Sequence, residues 1–313
     1  MIESALTRLL PLKYPCFQGG MAWIADGVLA AAAANAGAAG LIAAGSAPVD
    51  AVREEIAKAR AATNGVFGLN IMLMSPSASD IAQLVLDEGI RLVTTGAGSP
   101  AKYLPAWKEA GVTVVPVIAS VAQAQKMERL GADAVVAEGM EAGGHIGSST
   151  TMTLVPQVAA AVSIPVLAAG GIADGRGAAA AFMLGASGVQ LGTRLICTAE
   201  CNAHPAYKQA ILEAKDTGTI ITGQLAGSAA ARSIKNAFAR QIVALERQGL
   251  KGEELETLLA GSLRRAAVDG DMKNGSIMAG QCAGMVDSIR PMADVLADVF
   301  NEAEQLMNGG IIR

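Results

Sequence analysis

The chain has 313 residues, 52% of them hydrophobic but only 3% aromatic, with a formal net charge of −4. A core of Ala, Val, Ile, Leu and Met suits a parallel sheet covered by helices on both faces, and the mixed, mildly acidic charge excludes a nucleic-acid-binding field. Four cysteines (Cys16, Cys197, Cys201, Cys282) form no disulfide framework for a chain this long, which fits a reducing, cytoplasmic setting.

No charged segment followed by an apolar one opens the chain, so no secretory signal is expected. Residues 28–49 carry no charge and are long enough to imitate a membrane span. Their Ala and Gly content, broken at Asn35, Gly37, Gly40 and Gly45, reads instead as a buried helix, a turn and a strand.

Apolar runs then alternate with helical segments. Strands are expected at 15–18, 40–44, 67–73, 91–95, 113–118, 134–138, 166–169 and 188–191. Helices are expected near 26–37, 48–62, 79–88, 100–110, 120–130, 152–162, 175–185 and 204–215. Ala110-Gly111 and Leu130-Gly131 read as helix stops followed at once by a strand. Eight strands with eight helices at regular spacing predict an α/β fold, a closed (β/α)8 TIM barrel. A doubly wound open sheet is the alternative, though it rarely runs to so many units.

Beyond residue 216 the rhythm changes. Thr219 to Asp271 reads as mainly helical, and an amphipathic helix covers 292–307. The expected division is a barrel of 1–216 and 272–313, with a helical subdomain at 217–271 over its mouth.

Glycines cluster where barrel strands end. After the strand at 166–169 comes Gly170-Gly171, and after that at 188–191 comes Gly192-Thr193. Loops in these places commonly hold a phosphate on backbone N–H groups, with Thr193 adding a hydroxyl and Arg194 a charge of unknown direction. Neither a dinucleotide fingerprint nor a P-loop pattern is present at these turns. The early turn Gln18-Gly-Gly-Met-Ala22 leaves room for a planar ring on the backbone. Asn70, a polar residue in an apolar strand, either pairs with backbone inside the barrel or meets the polar edge of a heterocycle. Glu138 ends a strand, where a carboxylate is costly unless paired.

His145 lies in Gly139-Met-Glu-Ala-Gly-Gly-His-Ile-Gly147, one of only two histidines in the chain. An imidazole in a glycine loop on the active face of a barrel can donate a proton, hold a cofactor edge or orient a nicotinamide. Cys197, Cys201 and His204 match no zinc spacing, and His204-Pro205 instead starts a helix, with Asn202 or a neighbour capping it. No serine nucleophile elbow occurs.

Taken together, Gln18-Gly-Gly-Met-Ala, Phe67-Gly-Leu-Asn-Ile-Met, Thr94-Thr-Gly-Ala-Gly, Ala137-Glu-Gly-Met-Glu-Ala-Gly-Gly-His, Ala168-Ala-Gly-Gly-Ile and Gln190-Leu-Gly-Thr-Arg resemble, in this order, the nitronate monooxygenase and flavin-dependent enoyl-acyl carrier protein reductase II superfamily. Thr150-Thr-Met-Thr-Leu-Val-Pro-Gln157, Asn202-Ala-His-Pro205 and Ser276-Ile-Met-Ala-Gly-Gln281 are similar to the reductase II branch. The resemblance implies a TIM barrel binding FMN, a homodimer, and NADH or NADPH as co-substrate. It implies that Gly20, Met21, Ala22, Asn70, Glu138, Gly144, Gly170, Gly171, Gln190, Gly192 and Thr193 line the flavin, that Met278 and Gln281 approach from a returning loop, and that His145 is the active-site histidine. Some relatives also use a monovalent cation. The implied reaction is NAD(P)H-dependent reduction of enoyl thioesters on acyl carrier protein. Alternatives are oxidation of alkyl nitronates with O2 and a non-catalytic flavin- or acyl-binding role. Some relatives carry a histidine in the segment matching 223–229, where this chain has none. An acidic carrier protein calls for a basic patch, expected from Arg232, Lys235, Arg240 and Arg264 or Arg265.

Overall fold

A computed structural model describes residues 2–45, 47–226 and 230–309. Eleven strands occur among them: β1 (Cys16–Gln18), β2 (Gly40–Ala43), β3 (Phe67–Met72), β4 (Leu92–Gly96), β5 (Thr113–Ile118), β6 (Val135–Glu138), β7 (Gly144–His145), β8 (Val166–Ala169), β9 (Gly188–Leu191), β10 (Thr219–Thr222) and β11 (Ala231–Ile234). All strands but β7, β10 and β11 form one parallel sheet in the order β1-β9-β8-β6-β5-β4-β3-β2. The expected strands are therefore all present, and the fold is the (β/α)8 barrel.

The seam between β1 and β2 closes through little backbone pairing, because β1 is only three residues long. Gln18 N–H donates to Ala39 O at 2.8 Å and Ala39 N–H to Cys16 O at 2.8 Å. The fully buried Gln18 side chain then accepts from Leu41 N–H at 3.0 Å, so an amide stands in for a missing ladder rung.

Helices follow the strands as the glycine punctuation predicts. Gly37, Gly111 and Gly131 have φ of 100°, 72° and 91°, the left-handed conformation that ends a helix without a Cβ penalty. The uncharged stretch resolves into the helix Gly27–Ala36, a turn and β2. No helix among the described residues is long and apolar enough to cross a membrane.

A short helix, Ala5–Leu9, has no counterpart among the expected elements. Its Leu6, together with Leu10, packs in one cluster with Phe17, Leu41, Val136 and Leu167 of the barrel strands, and Leu6 is fully buried. A Cβ on Gly188 would lie 2.5 Å from Leu6 Cδ2, so the glycine admits this contact. Gly188 opens β9, which places the plug at the N-terminal end of the strands and leaves the C-terminal end as the mouth.

The segment Thr219–Asp271 departs from the helical expectation. It opens with an antiparallel ribbon, β10 on β11, and β11 pairs in turn with β7. Thr219-Ile-Ile-Thr222 is a β-branched run that favours a strand once a partner exists, and β11, which supplies that partner, is itself held by the loop after β6. Helices Ala237–Arg247, Glu253–Leu259 and Ser262–Ala267 follow. The last helix, Met292–Met307, packs on Gly175–Met183, where Glu302 accepts the Gly175 N–H at 2.8 Å.

The expected basic patch is corrected by burial. Arg232 is only 3% exposed and lies inside the small sheet. Arg265 is half-buried against backbone carbonyls of Ala260 and Asn274, and Arg264 pairs with Asp269. Lys235 and Arg240 are exposed.

Candidate active site at the barrel mouth

The two glycine loops lie side by side, because β8 and β9 are neighbours in register. Gly170 and Gly171 have φ of 97° and 79°. A Cβ on Gly170 would lie 2.8 Å from Gly139 O, so the chain passes there only without a side chain. Neither amide of this pair donates to a protein acceptor among the described residues, which leaves two N–H groups for an anion. A groove of about 290 Å³ adjoins them, lined by Glu141, Thr151, Gln281, Cys282 and Met285 among others.

Thr193 and Arg194 both make contacts within the protein. Thr193 Oγ1 accepts the buried Gly280 N–H at 2.9 Å and so braces the returning loop. The Arg194 guanidinium donates to Cys197 O at 3.3 Å and Ser288 O at 3.1 Å, which makes it a support for chain turns. Gly192 has Met21 for a neighbour: a Cβ there would sit 3.7 Å from the Met21 sulfur.

Gly20, Met21 and Ala22 form the turn after β1, all half-buried. The glycine at 20 has a protein reason: its Cβ would fall 2.2 Å from Asn70 Cβ. Asn70 pairs with a neighbouring strand rather than with backbone alone, since Thr94 Oγ1 donates to its Oδ1 at 2.8 Å. Its Nδ2 has no acceptor among the described residues. Two polar atoms, Gln190 Oε1 and Thr95 Oγ1, are buried without partners among the described residues. Register sets Glu138 opposite Ala169 and Ala169 opposite Gln190, so one level of the barrel carries both polar ends. Orphaned polar atoms at one end of a barrel are expected where a polar-edged ligand completes them.

No protein group hydrogen-bonds the Glu138 carboxylate among the described residues. Desolvation pushes its pKa from 4.5 up to about 7. His145 sits on β7 as an exposed residue, yet the surrounding loops desolvate its ring enough to lower its pKa below the usual 6.5. At neutral pH the ring is an uncharged donor and acceptor.

The returning loop reaches this point through the helix Pro205–Leu212. The buried Tyr207 hydroxyl donates to Met278 O at 2.7 Å. A Cβ on Gly144 would lie 3.6 Å from the Met278 sulfur, and one on Gly143 would meet Ala279 backbone at 2.6 Å. The glycines before His145 thus accommodate Met278-Ala279. Gln281 is exposed at the groove, and its N–H donates to Glu141 O at 2.9 Å.

Glu141 and Thr151 join the site without having been expected there. The Glu141 carboxylate accepts Thr151 N–H at 2.9 and 3.0 Å and Thr151 Oγ1 at 3.0 Å. The same hydroxyl lies 2.9 Å from Gly170 O. The pair ties the start of the helix Thr151–Ala161 to the His145 loop and the Gly170 turn. A carboxylate suits a helix N-terminus, but this one comes from a loop ten residues away. The helix at Pro205 begins as expected, with His204 Nδ1 itself accepting Ala206 N–H at 3.2 Å. Asn202 instead donates to Asp26. Residues 227–229, in the segment without the second histidine, lie outside the described residues.

A family model described as nitronate monooxygenase matches residues 3–302. The chain is 45% identical to FabK from Thermotoga maritima, with a TM-score of 0.95 and 98% of each chain covered. It is 33% identical to the (3aS,4S,5R,7aS)-5-hydroxy-7a-methyl-1-oxo-octahydro-1H-indene-4-carboxyl-CoA dehydrogenase of Mycobacterium tuberculosis, over 96% of each sequence. It is 31% identical to a probable nitronate monooxygenase of Staphylococcus aureus, over 97% of this chain and 98% of that one.

Proposed function

The chain belongs to the nitronate monooxygenase family, and from that premise we propose that it is an FMN-dependent oxidoreductase that uses NADH or NADPH to reduce the C2–C3 double bond of enoyl thioesters on acyl carrier protein. The likeness to FabK over 98% of both chains is the observation that carries this reading. The reductase-type motifs at 150–157, 202–205 and 276–281 point the same way. We further propose a cytoplasmic homodimer.

The residues fit the cofactor. The free amides of Gly170 and Gly171 suit one phosphate, and the orphaned Gln190 Oε1 and the unpaired Asn70 Nδ2 suit the polar edge of a ring. Glu138, its pKa raised to about 7 by burial, can donate or accept there. FMN, when bound, would supply a ring able to take up and give up hydride. His145 then acts on the thioester. Its neutral imidazole carries one N–H, which can hydrogen-bond the carbonyl oxygen as enolate character develops.

Nitronate oxidation is the second reading, favoured by the name of the Staphylococcus relative. Anaerobic mixing separates the two. For the reductase, NADH or NADPH bleaches the flavin rapidly and a crotonyl thioester restores its colour. Failure of both nicotinamides to bleach it, with turnover of an alkyl nitronate in air, would replace the proposal by the second reading.

A further inference from the structure

We infer that Arg232 is a positioning residue for His145, holding the histidine loop at both ends. This rests on the proposed role of His145. Arg232 is almost completely buried. Its Nε and Nη2 both donate to Met140 O, at 3.1 and 2.9 Å, and its Nη1 donates to Thr219 Oγ1 at 3.0 Å. The backbone of the same residue lies opposite Gly144 in the β11–β7 ladder, with Ala231 opposite His145. One more rung follows, Ile146 N–H to Ala230 O at 2.9 Å. A single residue therefore grips the start of the loop with its side chain and the end with its main chain.

Between those grips lies Gly143, and Gly144 at the second grip has φ 77°. Such a segment has wide conformational freedom unless it is tied down. The planar guanidinium gives two convergent bonds to one carbonyl oxygen, which fix direction as well as distance. A lysine ammonium, a point donor, keeps the charge and loses that geometry. The cost of burying the cation is partly offset by the Glu141 carboxylate nearby. Glu141 is itself fixed by Thr151, so the arrangement continues to the Gly170 turn.

The test uses Arg232→Lys, His145→Ala and the double variant in the holoenzyme. Flavin reduction by NAD(P)H and reoxidation by enoyl thioester are followed separately by stopped flow. Arg232→Lys should retain FMN and slow the same half-reaction as His145→Ala, by about 10²-fold, the loss typical of a misplaced reacting group. In the His145→Ala background it should add little. The chain has two histidines, so NMR titration identifies the His145 ring by its loss in His145→Ala. In Arg232→Lys its pKa should move up towards 6.5 as the ring becomes better hydrated. If Arg232→Lys does not fold, Thr219→Val, which removes one guanidinium partner, should produce the same two changes to a smaller degree. Full additivity with His145→Ala, or an unmoved titration, would reduce Arg232 to a structural role. A His145→Ala variant with both half-reactions intact would instead remove the proposed role of His145, and the positioning claim with it.

Discussion

Replacing Glu138 by Gln should make the cofactor-stripped protein more stable at alkaline pH and change it little at acid pH. The carboxyl ends β6 with no protein partner among the described residues, and burial raises its pKa from 4.5 to about 7. The folded state therefore holds this proton more tightly than the unfolded chain. Its contribution is fully present below about pH 4.5 and is lost as pH rises through about 7. At about 1.4 kcal/mol per pKa unit, the shift corresponds to about 3 kcal/mol between pH 4.5 and 8. The residue is partly solvent-facing, so this is an upper bound. A glutamine side chain has the same shape and no charge to desolvate. Urea unfolding of both proteins at pH 5 and pH 8 gives the double difference, in which other titrating groups cancel. The stability gap, Glu138→Gln minus wild type, should widen at pH 8 by about one to a few kcal/mol, or a few degrees in melting temperature. A gap independent of pH, or one that narrows at pH 8, would refute the claim that desolvation of Glu138 dominates.

Gly171→Asp should abolish FMN retention, since it sets a carboxylate against the proposed phosphate, a like-charge contact that costs several kcal/mol; protein that remains yellow through gel filtration would contradict this. Denaturing the wild-type protein should release FMN, and release of FAD would reject the single-phosphate reading of Gly170-Gly171. Gly20→Ala should displace Asn70, because the new methyl would sit 2.2 Å from Asn70 Cβ, and should destabilise the protein by about 1–3 kcal/mol, the usual range for overpacking; an unchanged urea midpoint would contradict the close approach. Charge reversal at the exposed Lys235 and Arg240 should slow turnover of carrier-bound substrate more than of an N-acetylcysteamine thioester and should weaken its salt dependence; equal losses on both would reject a carrier-docking role for these residues.

The barrel was legible in the sequence because its strands are buried on both faces. Runs such as Val135–Glu138 and Val166–Ala169 are apolar almost throughout, and the glycines that stop the helices act through local backbone conformation. The glycine turn at 170–171 was visible for the same reason: a demand for positive φ or close approach is written in residue type. The ribbon β10–β11 was not legible. Thr219–Thr222 becomes a strand through partners at 231–234, and that strand in turn pairs with 144–145, a long-range match that no local pattern encodes. The same holds for side chains with two possible fates. A sequence marks Arg232 and Arg194 as charges and Thr193 as a hydroxyl, which suits surface and phosphate roles. Only the tertiary structure reveals the carbonyls of Met140, Cys197 and Ser288 and the amide of Gly280 that claim them. A buried polar group must find a partner, and which partner is within reach is decided by how distant segments pack.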